Sequence, residues 1–240
     1  MFVKNHIKLN TINSTNEFLE NLINSSKLDH NIIVSTSFQE NGIGQFGKSW
    51  ESEKNKNLLT SILINHESNI KDNFKFNISI SIAICNFLEK YFNSRVKIKW
   101  PNDIMIDDKK IAGVLIKNLQ SNSKSIIGIG LNINQVDFNL YTPEATSFKK
   151  EKKIKFNVDE LFNELLNSIE YSYNNFKNDL NLKDEFLKKL YKFNVQTKFK
   201  FNKSLILATI TDVSDNGELI TIDEYGRIRK FKNGEIKFLF

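Results

Sequence analysis

Apolar positions along this chain follow two rhythms, and the change of rhythm marks its elements. IKLNTI at 7–12 alternates as a half-buried strand does. Ser14-Thr15-Asn16 then supplies helix-capping chemistry, and Glu17 sits where a carboxylate favours the positive end of a helix, so a helix is predicted over 15–26. The β-branched run 31–38 reads as a strand, the polar, glycine-bearing stretch 39–57 as a loop, and LLTSILI at 58–64 as a buried strand. Over 73–93, Phe76, Ile80, Ile84, Phe87, Leu88 and Tyr91 recur near helical spacing.

A strand-rich block follows. VKIKW at 96–100 must stop at Pro101, which cannot donate to a central ladder. IMI at 104–106 and KIAGVLIK at 110–117 flank Asp107-Asp108-Lys109, a hairpin turn by composition, and SIIGIGLNIN at 125–134 is a further buried strand. Amphipathic helices are predicted over 157–178 and 182–191. From about Phe193 the pattern becomes short alternating strands broken at Asp215-Asn216-Gly217 and Asn233-Gly234, the signature of a small β-barrel. The expected organisation is therefore an α+β domain over 1–190 and a β-domain over 191–240.

Composition narrows the function classes. With 40% hydrophobic residues in 240, the chain is not disordered, and 2 Pro with 9 Gly exclude a low-complexity or collagen-like one. The single Cys85, inside the apolar SIAICNFL, excludes a disulfide scaffold and a multi-cysteine metal site and reads as a core filler. No run reaches the roughly 18 apolar residues of a membrane span. MFVKNHIKLN has no signal-peptide character, so a cytoplasmic location is expected. The net charge of +6 invites a nucleic-acid reading, with Lys198, Lys200, Lys203, Arg227, Arg229, Lys230 and Lys232 on the C-terminal strands as its candidates. Yet the only arginines are Arg95, Arg227 and Arg229, and the wealth of Asn, Ile, Lys and Phe is the residue set of AT-rich codons, so much of the charge reads as solvated faces.

Two segments carry candidate chemistry. Residues 39–50, QENGIGQFGKSW, place Gly42, Gly44 and Gly47 between two strands, with Lys48 as a cation and Trp50 as a stacking or anchoring aromatic. The spacing fits G-x-G-x-x-G, but no helix follows, so the dinucleotide reading fails; a phosphate cradle and a plain glycine turn both remain. Lys99-Trp100-Pro101-Asn102-Asp103 puts a cation, an aromatic, an amide and a carboxylate at one strand end, and Lys110 returns on the next arm ahead of Ala112-Gly113. Two lysines converging on a carboxylate suit a reaction that develops negative charge on phosphate and carboxylate oxygens, or alternatively a structural ion pair with Trp100 in the core.

KWPND followed by KKIAGVLIK, with a glycine-rich loop ending in Trp upstream, resembles the signature of biotin–protein ligases. STN before the first helix, GIGLNIN after the hairpin, Ala145-Thr146-Ser147 and the C-terminal β-domain sit where that family has them, so the resemblance spans the chain from about residue 7. It implies a mixed, largely antiparallel central sheet with flanking helices, akin to class II synthetases, plus an SH3-like β-barrel. It implies ATP and biotin as substrates, Mg²⁺ with the ATP phosphates (Asp103 a possible ligand), and a biotin carboxyl-carrier domain as partner. Biotin's carboxylate would attack the α-phosphate, and a carrier lysine would then displace AMP, without a covalent enzyme intermediate.

By motif position, the resemblance gives Ser14, Thr15, Asn16 and Gln39 to the biotin ring and its ureido edge, with Ile43, Gly44, Gln45, Lys110 and Gly113 completing that site. Lys110, Asp103 and Asn102 would carry catalysis, Lys110 meeting the activated carboxyl or phosphate. Gly42, Gly47, Lys48, Trp50, Lys99, Trp100, Asn102, Asp103, Gly128 and Gly130 would hold ATP and the adenylate, Trp50 closing over the adenine. The family's loop commonly reads G-R-G-R-x-G, its second Arg restraining the adenylate, whereas this chain has Ile43 and Gln45 there, and charge-assisted contact is lost. If nothing compensates, intermediate leaks: biotin deposited on a non-carrier protein should exceed that from a relative with Arg, and no excess would dispose of the idea. The first strand begins too early for a helix-turn-helix, so no DNA-binding domain is expected. Monomer and homodimer both stay open. Rival readings are a lipoate or octanoate ligase of the same fold and a catalytically weakened biotin-binding protein.

Overall fold

The computed structural model describes residues 5–26, 28, 30–66, 73–119, 123–176 and 178–240. The first sheet takes strands β1 (Asn5–Ile12), β2 (Ile32–Gln39), β3 (Leu58–Asn65), β4 (Val96–Lys99), β5 (Asp103–Ile106), β6 (Lys109–Leu119) and β7 (Lys124–Leu131) in the order β1-β2-β3-β7-β6-β5-β4. Only β1 and β2 run parallel; every other neighbour pair is antiparallel, giving the mixed, largely antiparallel sheet expected. Helices α1 (Thr15–Ser25), α2 (Asn73–Phe92), α3 (Phe148–Lys152), α4 (Val158–Asn175) and α5 (Leu182–Lys189) flank it. The short α3 has too few turns to show a period in the sequence; Ser147 caps it by accepting from the Lys150 N–H at 3.1 Å. Residue 177, within the predicted helix 157–178, and residues 1–4 lie outside the described residues.

The sheet's two faces are dressed unequally. On one face α2 is buried almost all round, Ile78, Ile82, Ala83 and Cys85 included, because it is sandwiched between the sheet and α4 and α5. On the other face, Leu19 and Ile23 of α1 pack on Ile32, Val34, Leu63 and Ile126. Alternation carries that same face onward from Ile126 to Gly128 and Gly130 on β7, and register sets Gly113 of β6 opposite Gly130. So α1 covers one end of the face, and glycine floors the rest.

The second sheet has β8 (Gln196–Phe201), β9 (Ser204–Val213), β10 (Leu219–Asp223), β11 (Ile228–Phe231) and β12 (Ile236–Phe238), all antiparallel, in the order β11-β10-β9-β8-β12. Its inward residues, among them Phe199, Ile210, Leu219 and Phe238, belong to the same buried apolar cluster as α2. No described helix is long and apolar enough to cross a membrane.

Candidate active site

A cavity of about 1070 Å³ opens over the glycine floor, walled by residues of both sheets. Its charged centre is built by two adjacent turns. The residues Trp100-Pro101-Asn102 turn β4 into β5, so that Lys99 and Asp103 face each other in register. On β6, Ile111 is an extra residue: Ile104 pairs with Ala112 but Met105 pairs with Lys110. This bulge turns Lys110 onto the face of Asp103 and Gly113, which strict alternation would not do. Asp103 then holds Lys110 Nζ at 2.5 Å through Oδ1 and Lys99 Nζ at 3.0 Å through Oδ2. Burial opposes ionisation of this carboxyl, but the charges and hydrogen bonds of Lys110 and Lys99 more than offset it and hold it below the usual carboxylate range. The Lys110 backbone is fixed as well, its N–H donating to Glu144 O at 2.7 Å while its carbonyl accepts from Thr146 at 2.8 Å. Asn102 Nδ2 donates to Val114 O and its carbonyl accepts from Val114 N–H at 3.1 Å, so this amide braces the turn.

The opposite end is polar and uncharged. Ser14 occupies the extended residue before α1, yet its hydroxyl makes no cap; the capping expected of it is supplied by Gln39, whose Oε1 accepts from Thr15 N–H at 2.8 Å and Thr15 Oγ1 at 3.0 Å. Ser61 Oγ, 2.7 Å from Thr15 Oγ1 and 2.6 Å from Asn16 Oδ1, completes the group. Ser61 was not marked by sequence, because a serine inside a buried strand has no motif around it. A Cβ at Gly128 would lie 2.5 Å from Oδ1 of Asn16, so any larger residue there would push that amide from its place beside Ser61.

Two aromatics take the packed seats among those the sequence left open. Trp50 lies on the floor rather than over the site: a Cβ at Gly130 would fall 2.6 Å from its Cζ2, and with no side chains beneath it the indole settles on backbone. Its Nε1 is buried with no partner among the described residues, and Lys110 Nζ stands 5.4 Å from the ring centre. Trp100 borders the cavity but is only 4% exposed, and its Nε1 donates to Gly217 O at 3.0 Å, so it anchors one sheet to the other. Asp103, the possible Mg²⁺ ligand, has one ammonium on each oxygen, and no cluster of three His, Cys, Asp or Glu occurs among the described residues. This is not a carboxylate cage.

Ile43, Gly44, Gln45 and Lys48 line one wall of the cavity, Lys48 without an ion pair among the described residues. Gly42 and Gly47, expected at the nucleotide, do not line it, Gly42 being packed against the Trp50 backbone and Gly47 turning the loop at φ +72°. Sequence reasoning missed the facing wall. Glu51 Oε2 accepts from Tyr141 Oη at 2.8 Å, joining the segment 137–143 to the glycine loop. Asn132 borders the cavity with a buried Oδ1 that has no partner among the described residues, its Nδ2 donating to Thr146 O. Lys200 and Lys237 line it from the second sheet as a directly opposed cross-strand pair. Like charges facing each other in a ladder cost stability unless an anion lies between them. Arg227 and Arg229, by contrast, both pair with Asp223, at 2.8 and 3.7 Å, so the basic strands are partly neutralised.

The model of the Biotin/lipoate A/B protein ligase family matches residues 9–134, more than half of the chain. The chain belongs to this family. Among curated relatives, it is similar to the bifunctional ligase/repressor BirA of Escherichia coli K12, 30% identical over 128 residues, and to that of Bacillus subtilis 168, 26% over 127. Each match covers 52% of this chain and 39% of the relative, so the chain spans about two fifths of the length of these family members. Among solved structures it is similar to the biotin protein ligase of Aquifex aeolicus in complex with biotin and ATP, with TM-score 0.81, 24% identity and coverage of 98% of this chain and 99% of that one. The Helicobacter pylori biotin acetyl coenzyme A carboxylase synthetase, with TM-score 0.62 and 19% identity, covers 94% and 99%. These last two likenesses establish the ligase fold, including its second β-sheet.

Proposed function

We propose that the chain joins biotin to a lysine of a biotin carboxyl-carrier domain, with ATP as the energy source and in the cytoplasm. The observation that carries the reading is Asp103 clamped between Lys99 and Lys110 above a glycine floor, in a chain of this family. Biotin's carboxylate oxygen attacks the α-phosphorus and pyrophosphate leaves; the carrier amine then attacks the acyl carbon, loses a proton, and AMP leaves. Both transition states carry extra negative charge on oxygen, so fixed cations are the groups that lower the barrier. Lys110 is placed for the reacting carboxyl or α-phosphate, and Asp103 holds it there. Lys48, Lys200 and Lys237, without ion pairs among the described residues, give the cavity surplus positive charge suited to the triphosphate, with which any Mg²⁺ would travel. Ser14, Thr15, Asn16 and Gln39 offer an uncharged donor and acceptor set suited to a ureido ring. Cys85 takes no part: burial, more than Glu89 beside it, pushes its thiol up to about 12.

Exchange of labelled pyrophosphate into ATP is the test. It should depend on biotin and not on lipoate; lipoate dependence would replace this reading by the lipoate ligase of the same fold. Lys110→Ala should lower exchange by about 10²-fold or more, as loss of a charged transition-state contact does, with the fold retained. Unchanged exchange in that variant would remove Lys110 from the mechanism.

A further inference from the structure

The glycine loop is a small hairpin with two ends. Trp50 N–H donates to Gly42 O at 2.8 Å and Gly44 N–H to Lys48 O at 2.6 Å, and Ile43 pairs antiparallel with Ser49. The hairpin is rooted by Trp50 on Gly130, at the floor of the first sheet. Its tip is Phe46, held in the left-handed region at φ 56° and ψ 34°, with 68% of its surface exposed. A bulky aromatic rarely adopts that backbone conformation. The Phe46 ring lies beside Gly234, in the turn between β11 and β12 of the second sheet. Gly234 has φ +92°, which favours glycine, and a Cβ on it would lie 3.2 Å from Cζ of Phe46, close enough that the ring would have to give by a few tenths of an ångström. Both residues border the cavity. The loop thus spans the site from one sheet to the other, like a beam with a fixed root and a resting tip.

We propose that Phe46 is a positioning residue: by resting on Gly234 it ties the glycine loop to the second sheet and keeps the loop across the reacting intermediate. Within 42–50 the only charged side chain is Lys48, so the loop has little means of holding an anion by charge alone. A ring that is two-thirds exposed makes a weak contact, which can release and remake within a turnover and so let a substrate amine enter. The ligand being retained rests on the proposed reaction; the tie itself does not.

The test therefore has two readouts in the full-length protein. Trypsin cleavage after the exposed Lys48, without ligands, should be about fivefold faster in Phe46→Ala than in wild type, while Phe46→Leu stays near wild type and the thermal midpoints agree. Equal cleavage rates, or a rate that simply follows a lowered midpoint, would overturn the tie whatever the chemistry. With biotin and ATP, Phe46→Ala should release biotinyl-adenylate about three- to tenfold faster, with Phe46→Leu restoring retention. Faster cleavage with unchanged adenylate release would overturn the positioning role. If the wild type forms no adenylate, the proposed reaction fails, and the cleavage rates still decide the tie.

Discussion

Asp103 is the residue on which the site's electrostatics turn. Its side chain is 18% exposed, with Lys99 15% and Lys110 28% exposed, so these are neither free surface pairs nor fully desolvated ones. Asp103→Asn would leave two ammoniums facing each other at 3.0 and 2.5 Å from a neutral amide. The expected loss is about 1–3 kcal/mol, below that for breaking a buried pair because water reaches all three groups. The pH dependence follows from the direction of the shift. A carboxyl held below its usual range stabilises the fold fully above the unfolded value of about 3.9, and that stabilisation is lost as pH falls through the lower folded value. Urea unfolding of wild type and Asp103→Asn should therefore show a constant gap from pH 8 to 5 that narrows below about pH 4. A gap that closes near neutrality would mean that Asp103 is not the ionised partner of the two lysines.

At the scale of elements, much of the fold and part of the site were legible in the sequence. The buried strand β3, the Pro101 stop after β4 and the Asp107-Asp108 turn lie where the pattern put them, because local chemistry alone decides a strand's end or a tight turn. KWPND and the lysine after the hairpin were legible as one site, since a short turn must return its two arms to each other. The bulge at Ile111 was not legible, and it is what brings Lys110 to Asp103: a one-residue offset is set by pairing partners, which periodicity does not contain. The same limit hid Ser61, Asn132, Tyr141 and the Lys200–Lys237 pair, which reach the cavity only through tertiary register. Trp50 and Trp100 show the reverse case. Their candidate seats were legible but not the choice between them, because an indole's place depends on which neighbours are glycine or leave a carbonyl to bond.

Across the whole molecule, the two sheets behave as one packed body at their junction, although we propose them as separate domains near residues 190 and 191. Trp100 Nε1 donates to Gly217 O, the Lys99 ammonium lies 5.5 Å from the Phe238 ring centre, and one apolar cluster runs through both. The site depends on this junction, since Lys99 ends β4 and Trp100 begins the turn that positions Asp103, while Phe238 lies on β12 and Gly217 in the turn between β9 and β10. Trp100→Phe keeps an aromatic ring in place but leaves the Gly217 carbonyl without its donor, at a cost of about 1–2 kcal/mol. Because the apolar core is continuous, that cost should fall on both sheets together. Hydrogen exchange read by mass spectrometry, with increasing urea, should show β3–β7 and β9–β10 peptides losing protection at the same concentration in wild type, and at one lower concentration in Trp100→Phe. Protection lost first from β9–β10 alone would mean that the second sheet is a separately folding unit merely resting on the first. The turn at 100–102 would then gain its shape from the first sheet alone, and Trp100→Phe would leave pyrophosphate exchange at the wild-type rate instead of lowering it.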